Sequence, residues 1–405
     1  MSALATGFFT PVLCVLLALL LCWQQSAFGP DLRALLPVLP YILLSIASLI
    51  ALLSNHSREL ALSLLMLGAY WLIRSTLQAP LSSVPAAQIF YLLTVSLPII
   101  GTAYLFIPET GLLHPLGILV ALLPVALLMG LGQLFMAHPE LGAELSRASQ
   151  QNHLSSMHIS AGALGLYALS CSCAGLMLFL KHQSTPSSVL GCLLALFVLL
   201  SWIHIENISA TMFIGIGLLL TITITSALFH IGFYDELTQI GNRRALHAAV
   251  KTAGNQYTLA IVDADHFKKI NDRFGHDLGD QALKVIASCI SKTGCGAKAF
   301  RYGGEEFCLL FKGKTRDQVA DCLEQLRQVI ANYDMVIRDK KHRPTKQAAG
   351  EKKRGASKRH SNLRLTVSVG VADNSKGGSF DHLIKLADRA LYKAKAAGRN
   401  QLAFA

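Results

Sequence analysis

The order of apolar and polar positions divides the chain in two. Up to Ile231, long apolar runs alternate with short polar joints, and after Gly232 the runs shorten to strand length. A bilayer core about 30 Å thick needs roughly 20 mostly apolar residues per helix. Eight stretches reach or approach that length: Phe8 to Trp23, Leu35 to Leu53, Leu60 to Ile73, Ala86 to Phe106, Leu112 to Met136, Ala161 to Leu180, Ser188 to Ile203 and Ile208 to Ile231. Arg74 closes the third of them early, so an all-α polytopic membrane domain of seven or eight spans is expected over residues 1–232. The most polar break, His138 to Ser160, has room for a short surface helix.

The remaining residues, 233–405, read as strands alternating with helices. Tyr257 to Val262 is a short β-rich run ending at Asp263. Asp280 to Ile290 places Leu283, Ile286, Ala287 and Ile290 on one helical face. Ala299 to Tyr302 and Phe307 to Phe311 predict two strands joined through Gly303-Gly304 as a hairpin. Arg316 to Asn332 is helical, Leu363 to Val371 alternates as a strand, and Phe380 to Ala397 forms a last helix stopped by Gly398. Strand, helix, hairpin, helix, strand, helix is an α/β or α+β order, with helices covering a sheet.

Charge sharpens the division. Only 15% of residues are charged, against roughly 25% in soluble domains. Five basic and six acidic side chains precede Phe233, out of 36 and 24 in the whole chain, so the second part carries +13 of a total of +12. A neutral apolar part joined to a basic one fits a membrane domain followed by a cytoplasmic one. The short loops alone run slightly against that orientation. With a cytoplasmic N-terminus, Arg58 and Lys181 lie inside and Arg33, Arg74 and Arg147 outside. The first segment lacks the positive n-region of a cleaved signal peptide. No intramembrane acid pair marks a transport path, so the membrane part reads as an anchor and candidate sensor.

Two further patterns bear on chemistry. Cys171 and Cys173 sit in an apolar run and read as packing residues, while Cys289, Cys295, Cys308 and Cys322 are expected as free thiols of a reducing compartment. Residues 338–362 hold ten basic side chains against two acidic ones, a length unusual for a helix-to-strand loop. A solvated insertion, contact with anionic lipid and contact with nucleic acid are the three readings. No aromatic residue is interleaved for base stacking, so specific nucleic-acid binding is not expected.

Magnesium-dependent phosphoryl chemistry needs carboxylates on a rigid frame with cations nearby, Mg²⁺ taking one or two carboxylates and completing its shell with water and phosphate oxygens. Asp263 ends an apolar strand, where ligands favour a sheet edge. Glu305 and Glu306 lie at the hairpin tip, and Asp263 and Glu305 converge if the two strands are neighbours. Glycines at 303 and 304 allow the backbone to approach a nucleotide closely.

These residues resemble the GGDEF family of diguanylate cyclases. The resemblance covers Asp235 to Asn400 through spaced motifs: Asp235-Glu236-Leu237-Thr238 with Asn242-Arg243-Arg244, Asp263 to Asp272, Gly275-His276 with Gly279-Asp280, Arg301 to Phe307, Leu365 to Ala372, and Ala387 to Lys395 with Gly398-Arg399-Asn400. It implies a central, mostly antiparallel sheet flanked by helices, and condensation of two GTP into cyclic di-GMP and two pyrophosphates. Asp263, the Ala264 carbonyl and Glu305, with Glu306 beside them, would bind Mg²⁺, or Mn²⁺ as a substitute. Glu305 would also be the base for the attacking 3′-hydroxyl. Lys268, Lys395 and Arg399 would hold the triphosphate. Asn271 and Asp280 would read guanine, with Phe267, His276, Gly303 and Gly304 lining the nucleotide. A carboxylate at 280 accepts from guanine N1–H and N2–H and is left unpaired by adenine, so GTP is favoured over ATP. Each domain would bind one GTP, making the working enzyme a homodimer through the cyclase domain and the membrane domain. The resemblance implies a multi-pass protein of the bacterial cytoplasmic membrane with its cyclase domain in the cytoplasm. The competing reading is a catalytically silent domain that binds GTP or cyclic di-GMP and signals by contact.

Two departures stand out. An Arg-x-x-Asp product-inhibition pair, common in the family, would occupy positions that here are Gly294 and Ala297. The second is the linker, since the last apolar run ends at Ile231 and the opening motif starts at Asp235, leaving no room for a separate helical coil. Rotation or pairing of the last span is then expected to set the encounter of two cyclase domains. Inserting two, then four, residues after Gly232 tests this by cyclase assay: activity should follow the helical phase, and activity indifferent to phase rejects the coupling.

Overall fold

The computed structural model describes residues 3–138, 140, 157–181, 184–336, 362–375 and 377–405. Apart from their ends, the surface helix expected within 138–160 and the basic segment 338–362 lie outside the described residues. The chain forms two compact units, Met1–Leu228 and Phe229–Ala405.

Among the described residues the first unit is helical: α1 (Ala3–Gln24), α2 (Pro30–Leu35), α3 (Leu39–Leu53), α4 (Ser57–Thr76), α5 (Val84–Tyr104), α6 (Pro115–Ala137), α7 (Ala161–Lys181), α8 (Ser184–Ser201) and α9 (Ile208–Phe233). Each of the eight apolar stretches is a helix. Six helices are long and apolar enough to cross a membrane by length and composition: α1, α5, α6, α7, α8 and α9. Helix α3 has only 15 residues, and α4 carries Arg58, Glu59 and Arg74. The low hydropathy of α4 has a packing cause. Its Leu65, Met66, Ala69 and Tyr70 are fully buried, so the helix meets protein rather than lipid. Polar ties join the helices where side chains are buried: Ser48 Oγ donates to Ser63 Oγ at 2.9 Å, Thr185 Oγ1 to Glu59 Oε1 at 2.6 Å, and Ser188 Oγ to Thr223 Oγ1 at 2.9 Å. Leu16 of α1 and Leu119, Leu122 and Leu127 of α6 are exposed. Such apolar outer faces are compatible with a multi-pass membrane protein.

The second unit is built on a five-stranded sheet of order β2-β3-β1-β6-β7, with β1 (Tyr257–Ala264), β2 (Ala297–Arg301), β3 (Glu306–Lys312), β6 (Val367–Asp373) and β7 (Leu402–Phe404). Every pairing is antiparallel except β6 with β7. Helices α10 (Arg243–Lys251), α11 (Phe267–Phe274), α12 (His276–Ser291), α13 (Arg316–Ala331) and α14 (Phe380–Ala396) flank it. Strand β1 is buried along its whole length, because both of its faces are covered. Ala260, Val262 and Ala264 pack with Ile286 of α12 and Leu323 of α13, and Leu259 and Ile261 with Leu246 of α10 and Leu383 of α14. This two-residue alternation puts Asp263 on the α14 side.

Three details differ from the sequence expectation. The strand expected over Leu363 to Val371 is two strands: β5 (Asn362–Arg364) pairs with β4 (Asp334–Val336) in a separate ribbon, and β6 begins only at Val367. The break has a cause, since the Thr366 carbonyl accepts from Asp265 N at 2.9 Å and Thr366 Oγ1 donates to Asp265 Oδ2 at 2.9 Å. The short strand β7 follows Asn400, where no strand was expected. Cys295 and Cys322 are joined as a disulfide rather than standing as free thiols, their Cα atoms 6.6 Å apart; the loop before β2 lies close enough to α13 for the bridge.

Gly370 of β6 lets α14 rest directly on the sheet. A Cβ there would lie 2.2 Å from the Ala387 carbonyl oxygen and 2.2 Å from Leu391 N. Gly370→Ala should therefore displace α14 and cost about 1–3 kcal/mol of stability, read as a lower urea midpoint of the second unit. Gly304→Ala, whose Cβ meets nothing within 4 Å, should leave that midpoint in place.

Candidate functional site

The site forms where β1 runs out from under its covering helices. Asp263 is paired across the ladder with Glu306 on β3 and Ser368 on β6, and it is only 4% exposed. Its carboxylate Oδ1 lies 2.9 Å from Lys395 Nζ, which reaches over from the last turn of α14. Burial pushes the Asp263 pKa up and repulsion from Asp265 adds to this, while Lys395 and Arg399 oppose it. The next residue, Ala264, receives the hairpin tip, its N–H donating to the Glu305 carbonyl at 3.3 Å.

Glu305 and Glu306 both have raised pKa values. For each, burial is the main cause and the charge of Asp263 the next, with Lys395 working against both. Three carboxylates that repel one another beside one lysine form a place prepared for more positive charge. Gly303 makes room for part of this arrangement, since a Cβ there would lie 2.8 Å from Glu306 Oε2. Gly304 opens to free space, which leaves its backbone approachable.

The hairpin tip is held from behind. Arg301 Nη1 lies 2.9 Å from Asp235 Oδ1, and Nη2 donates to the Gly304 carbonyl at 2.7 Å. Asp235 is fixed in turn by Thr238, whose N–H and hydroxyl donate to Oδ1 at 2.9 and 2.6 Å. Burial works to raise the Asp235 pKa, and the hydrogen bonds from Thr238 and Arg301 outweigh it and hold the group below its ordinary value.

Asp265 has a role that the sequence reading did not assign. It is 5% exposed and accepts from Ser368 Oγ at 2.7 Å, Thr366 Oγ1 at 2.9 Å and Asn400 N at 3.0 Å. The last bond fixes the turn Gly398-Arg399-Asn400, where Arg399 and Asn400 adopt left-handed φ of 65° and 46°. Asp265 thus orients Arg399. The available signal was its place in the motif Asp263 to Asp272, in the turn that directly follows β1.

The remaining expected residues lie on α11 and α12. Phe267 is buried, Lys268 is exposed on the first turn of α11, and His276 is exposed at the start of α12. Asp280 is exposed one turn further on, while Asn271 is half-buried, with an Oδ1 that is enclosed yet accepts no hydrogen bond. Gly279 explains how Asn271 fits there: a Cβ at 279 would lie 1.9 Å from that oxygen. Asp263, Glu305, Glu306, Lys395 and Arg399 therefore act on one another directly, while Asn271 and Asp280 form a separate edge on the two following helices. Among the described residues no three His, Cys, Asp or Glu side chains are gathered to hold a metal by themselves. A divalent metal of the Mg²⁺ type does not require three, and the mutually repelling carboxylates with the Ala264 carbonyl fit it.

A family model described as "Diguanylate cyclase, GGDEF domain" matches residues 232–351 and 344–401. The chain is 35% identical over 174 residues to diguanylate cyclase VdcA of Vibrio cholerae, covering 42% of this chain and 46% of that one. It is 33% identical over 185 residues to diguanylate cyclase DgcM of Escherichia coli, covering 43% and 38%. The chain thus spans less than half the length of these curated relatives. Among solved structures it is similar to the coiled coil and GGDEF domain of DgcB from Caulobacter crescentus in complex with c-di-GMP, at 29% identity and a TM-score of 0.38, covering 45% of this chain and 90% of that one. The second unit of the chain is a GGDEF domain, following a helical unit.

Gly279→Ala separates nucleotide contact from folding. Alanine favours a helix over glycine by about 1 kcal/mol, so the unfolding midpoint should hold or rise. Asn271 must move, so a ligand that donates to its Oδ1 should bind more weakly by about tenfold or more, the scale of one lost hydrogen bond in a built site. Titration of GTP binding against thermal unfolding checks both.

Proposed function

We propose that the chain is a membrane-anchored diguanylate cyclase that condenses two GTP into cyclic di-GMP and two pyrophosphates. The observation that carries the proposal is the nearly buried Asp263, paired with Lys395 at 2.9 Å and adjoining Glu305 and Glu306 on the neighbouring strand. That is a carboxylate cluster with a phosphate-binding cation already in place.

Asp263, the Ala264 carbonyl and Glu305, with Glu306 beside them, would hold Mg²⁺, or Mn²⁺ in its stead. Its charge, when bound, stabilises negative charge on the phosphates. Lys268, Lys395 and Arg399 bind the triphosphate and hold the α-phosphorus in line for attack. Asn271 and Asp280 read the guanine edge, and the unpartnered Asn271 oxygen is an acceptor waiting for a donor. Phe267, His276, Gly303 and Gly304 line the nucleotide. Glu305 takes the proton from the attacking 3′-hydroxyl. The 3′-oxygen then bonds to the α-phosphorus of the second nucleotide, and the bond to pyrophosphate breaks. The same exchange in the other direction closes the ring. One domain holds one nucleotide, so two copies must face each other. The six long apolar helices anchor each copy in the bacterial cytoplasmic membrane, with the cyclase domain in the cytoplasm.

The full chain and the fragment from Phe233 should both convert GTP to cyclic di-GMP and pyrophosphate in the presence of Mg²⁺. Glu305→Ala should lower turnover by at least about 100-fold, the scale of a lost general base, and a chelator should stop it. A wild-type protein that binds GTP and forms no product would instead support a silent domain that signals by contact.

A further inference from the structure

The Cys295–Cys322 bridge opens onto a cavity that the cyclase reaction does not use. The cavity has a volume of about 560 Å³ and lies between α12 and α13, lined by Lys284, Ser288, Cys289, Lys292, Cys322 and Gln325 among others. It brings together a disulfide sulfur, a free thiol and two ammonium groups. Gly294 also faces it, with an ideal Cβ 4.0 Å from Cys322 Sγ. Cys295 is not among the lining residues, so the wall presents Cys322 to an incoming molecule.

We infer that this cavity is a thiol-exchange site, at which a small anionic thiol opens the Cys295–Cys322 disulfide and its disulfide form closes it again. The thiolate attacks Cys322 Sγ, the bond to Cys295 breaks, and the electron pair leaves on the Cys295 sulfur, which takes up a proton. A second thiolate attacks the mixed disulfide, joins the first as a small disulfide, and releases Cys322 as a thiol. Two small thiols are oxidised and one protein disulfide is reduced. The reverse sequence, with the small disulfide as oxidant, restores the bridge.

Three features support the assignment. Lys284 and Lys292 attract an anionic thiol and favour its thiolate, the attacking species. Cys289, a free thiol on the α12 side, lines the same cavity. The bridge also has a mechanical consequence. Cys295 holds a left-handed φ of 63° next to Gly296 at 72°, a conformation unfavourable for a residue with a side chain. Opening the bridge frees this loop from α13, and the loop leads straight into β2, whose far end carries Arg301 and the catalytic hairpin. In a reducing compartment a disulfide is transient and suited to sensing. It occupies the loop in which an Arg-x-x-Asp pair would stand, where this chain has Gly294 and Ala297. The exchange itself is independent of the cyclase reading; its effect on turnover rests on that reading.

The test uses the full chain in lipid nanodiscs, equilibrated across ratios of reduced to oxidised glutathione, then alkylated and mapped by mass spectrometry. Cys295 and Cys322 should lose reactivity together as the ratio turns oxidising, and Cys295→Ser should carry a glutathione adduct on Cys322. The double variant Lys284→Ala, Lys292→Ala should slow opening by glutathione about threefold or more, and slow opening by 2-mercaptoethanol, which carries no charge besides its thiolate, by clearly less. Cyclic di-GMP formation should differ between the two ends of the titration in the wild type and be equal in Cys295→Ser. Cysteines that label independently at every ratio, or lysine variants that slow both thiols alike, would each overturn the exchange site, and wild-type turnover indifferent to the ratio would overturn its control of the cyclase. A folded, GTP-converting protein whose cysteines never pair would leave the cyclase reading intact.

Discussion

Asp263 carries its charge at the end of a strand that is covered on both faces, and Lys395 meets it at 2.9 Å. A buried carboxylate without a partner is costly, so the fold must deliver a cation to this point. Much of the second unit can be read as that delivery. Gly370 removes the side chain that would hold α14 off the sheet, and Asp265 pins the turn after α14 so that Arg399 stays near the same charge. Lysine and arginine thus arrive on one helix and its exit turn, both fixed to the sheet that carries the acid. A phosphate that draws Lys395 toward itself leaves Asp263 in need of a replacement cation. Anion and cation at this point would thus be linked through a single side chain.

Much of this was legible in the sequence because the chemistry sits on short, strongly patterned segments. The run Tyr257 to Val262 marked a buried strand, and the acid after it marked the end where the site forms, although Asp263 itself is buried. The hairpin glycines and glutamates were adjacent in the chain, so their convergence needed only one strand pairing to be right. Lys395 and Arg399 were assigned to the phosphates through resemblance, and the geometry sets both beside Asp263. What stayed hidden depends on tertiary contact. Helix α4 reads as a weak span because protein rather than lipid surrounds it. The strand expected over Leu363 to Val371 is broken by a carboxylate about one hundred residues earlier in the chain, which no local pattern encodes. β4 and β7 have three residues each, too few to show a period. The pairing of Cys295 with Cys322 depends on a loop meeting a helix, and spacing alone cannot give it.

The hairpin that carries Glu305 and Glu306 illustrates how the remaining parts act together. Its two glutamates repel each other and Asp263, so without restraint the tip would swing toward solvent and relieve that repulsion. The restraint comes from two sides. Arg301 ties the Gly304 carbonyl to Asp235 just before the signature, and the Cys295–Cys322 bridge ties the start of β2 to α13. The first tie is a charge-assisted hydrogen-bond network, present whenever the domain is folded. The second is covalent. Strand β2 is thus anchored at both ends, by the arginine network beside the hairpin tip and by the disulfide beside its start, while it keeps its pairings with β3.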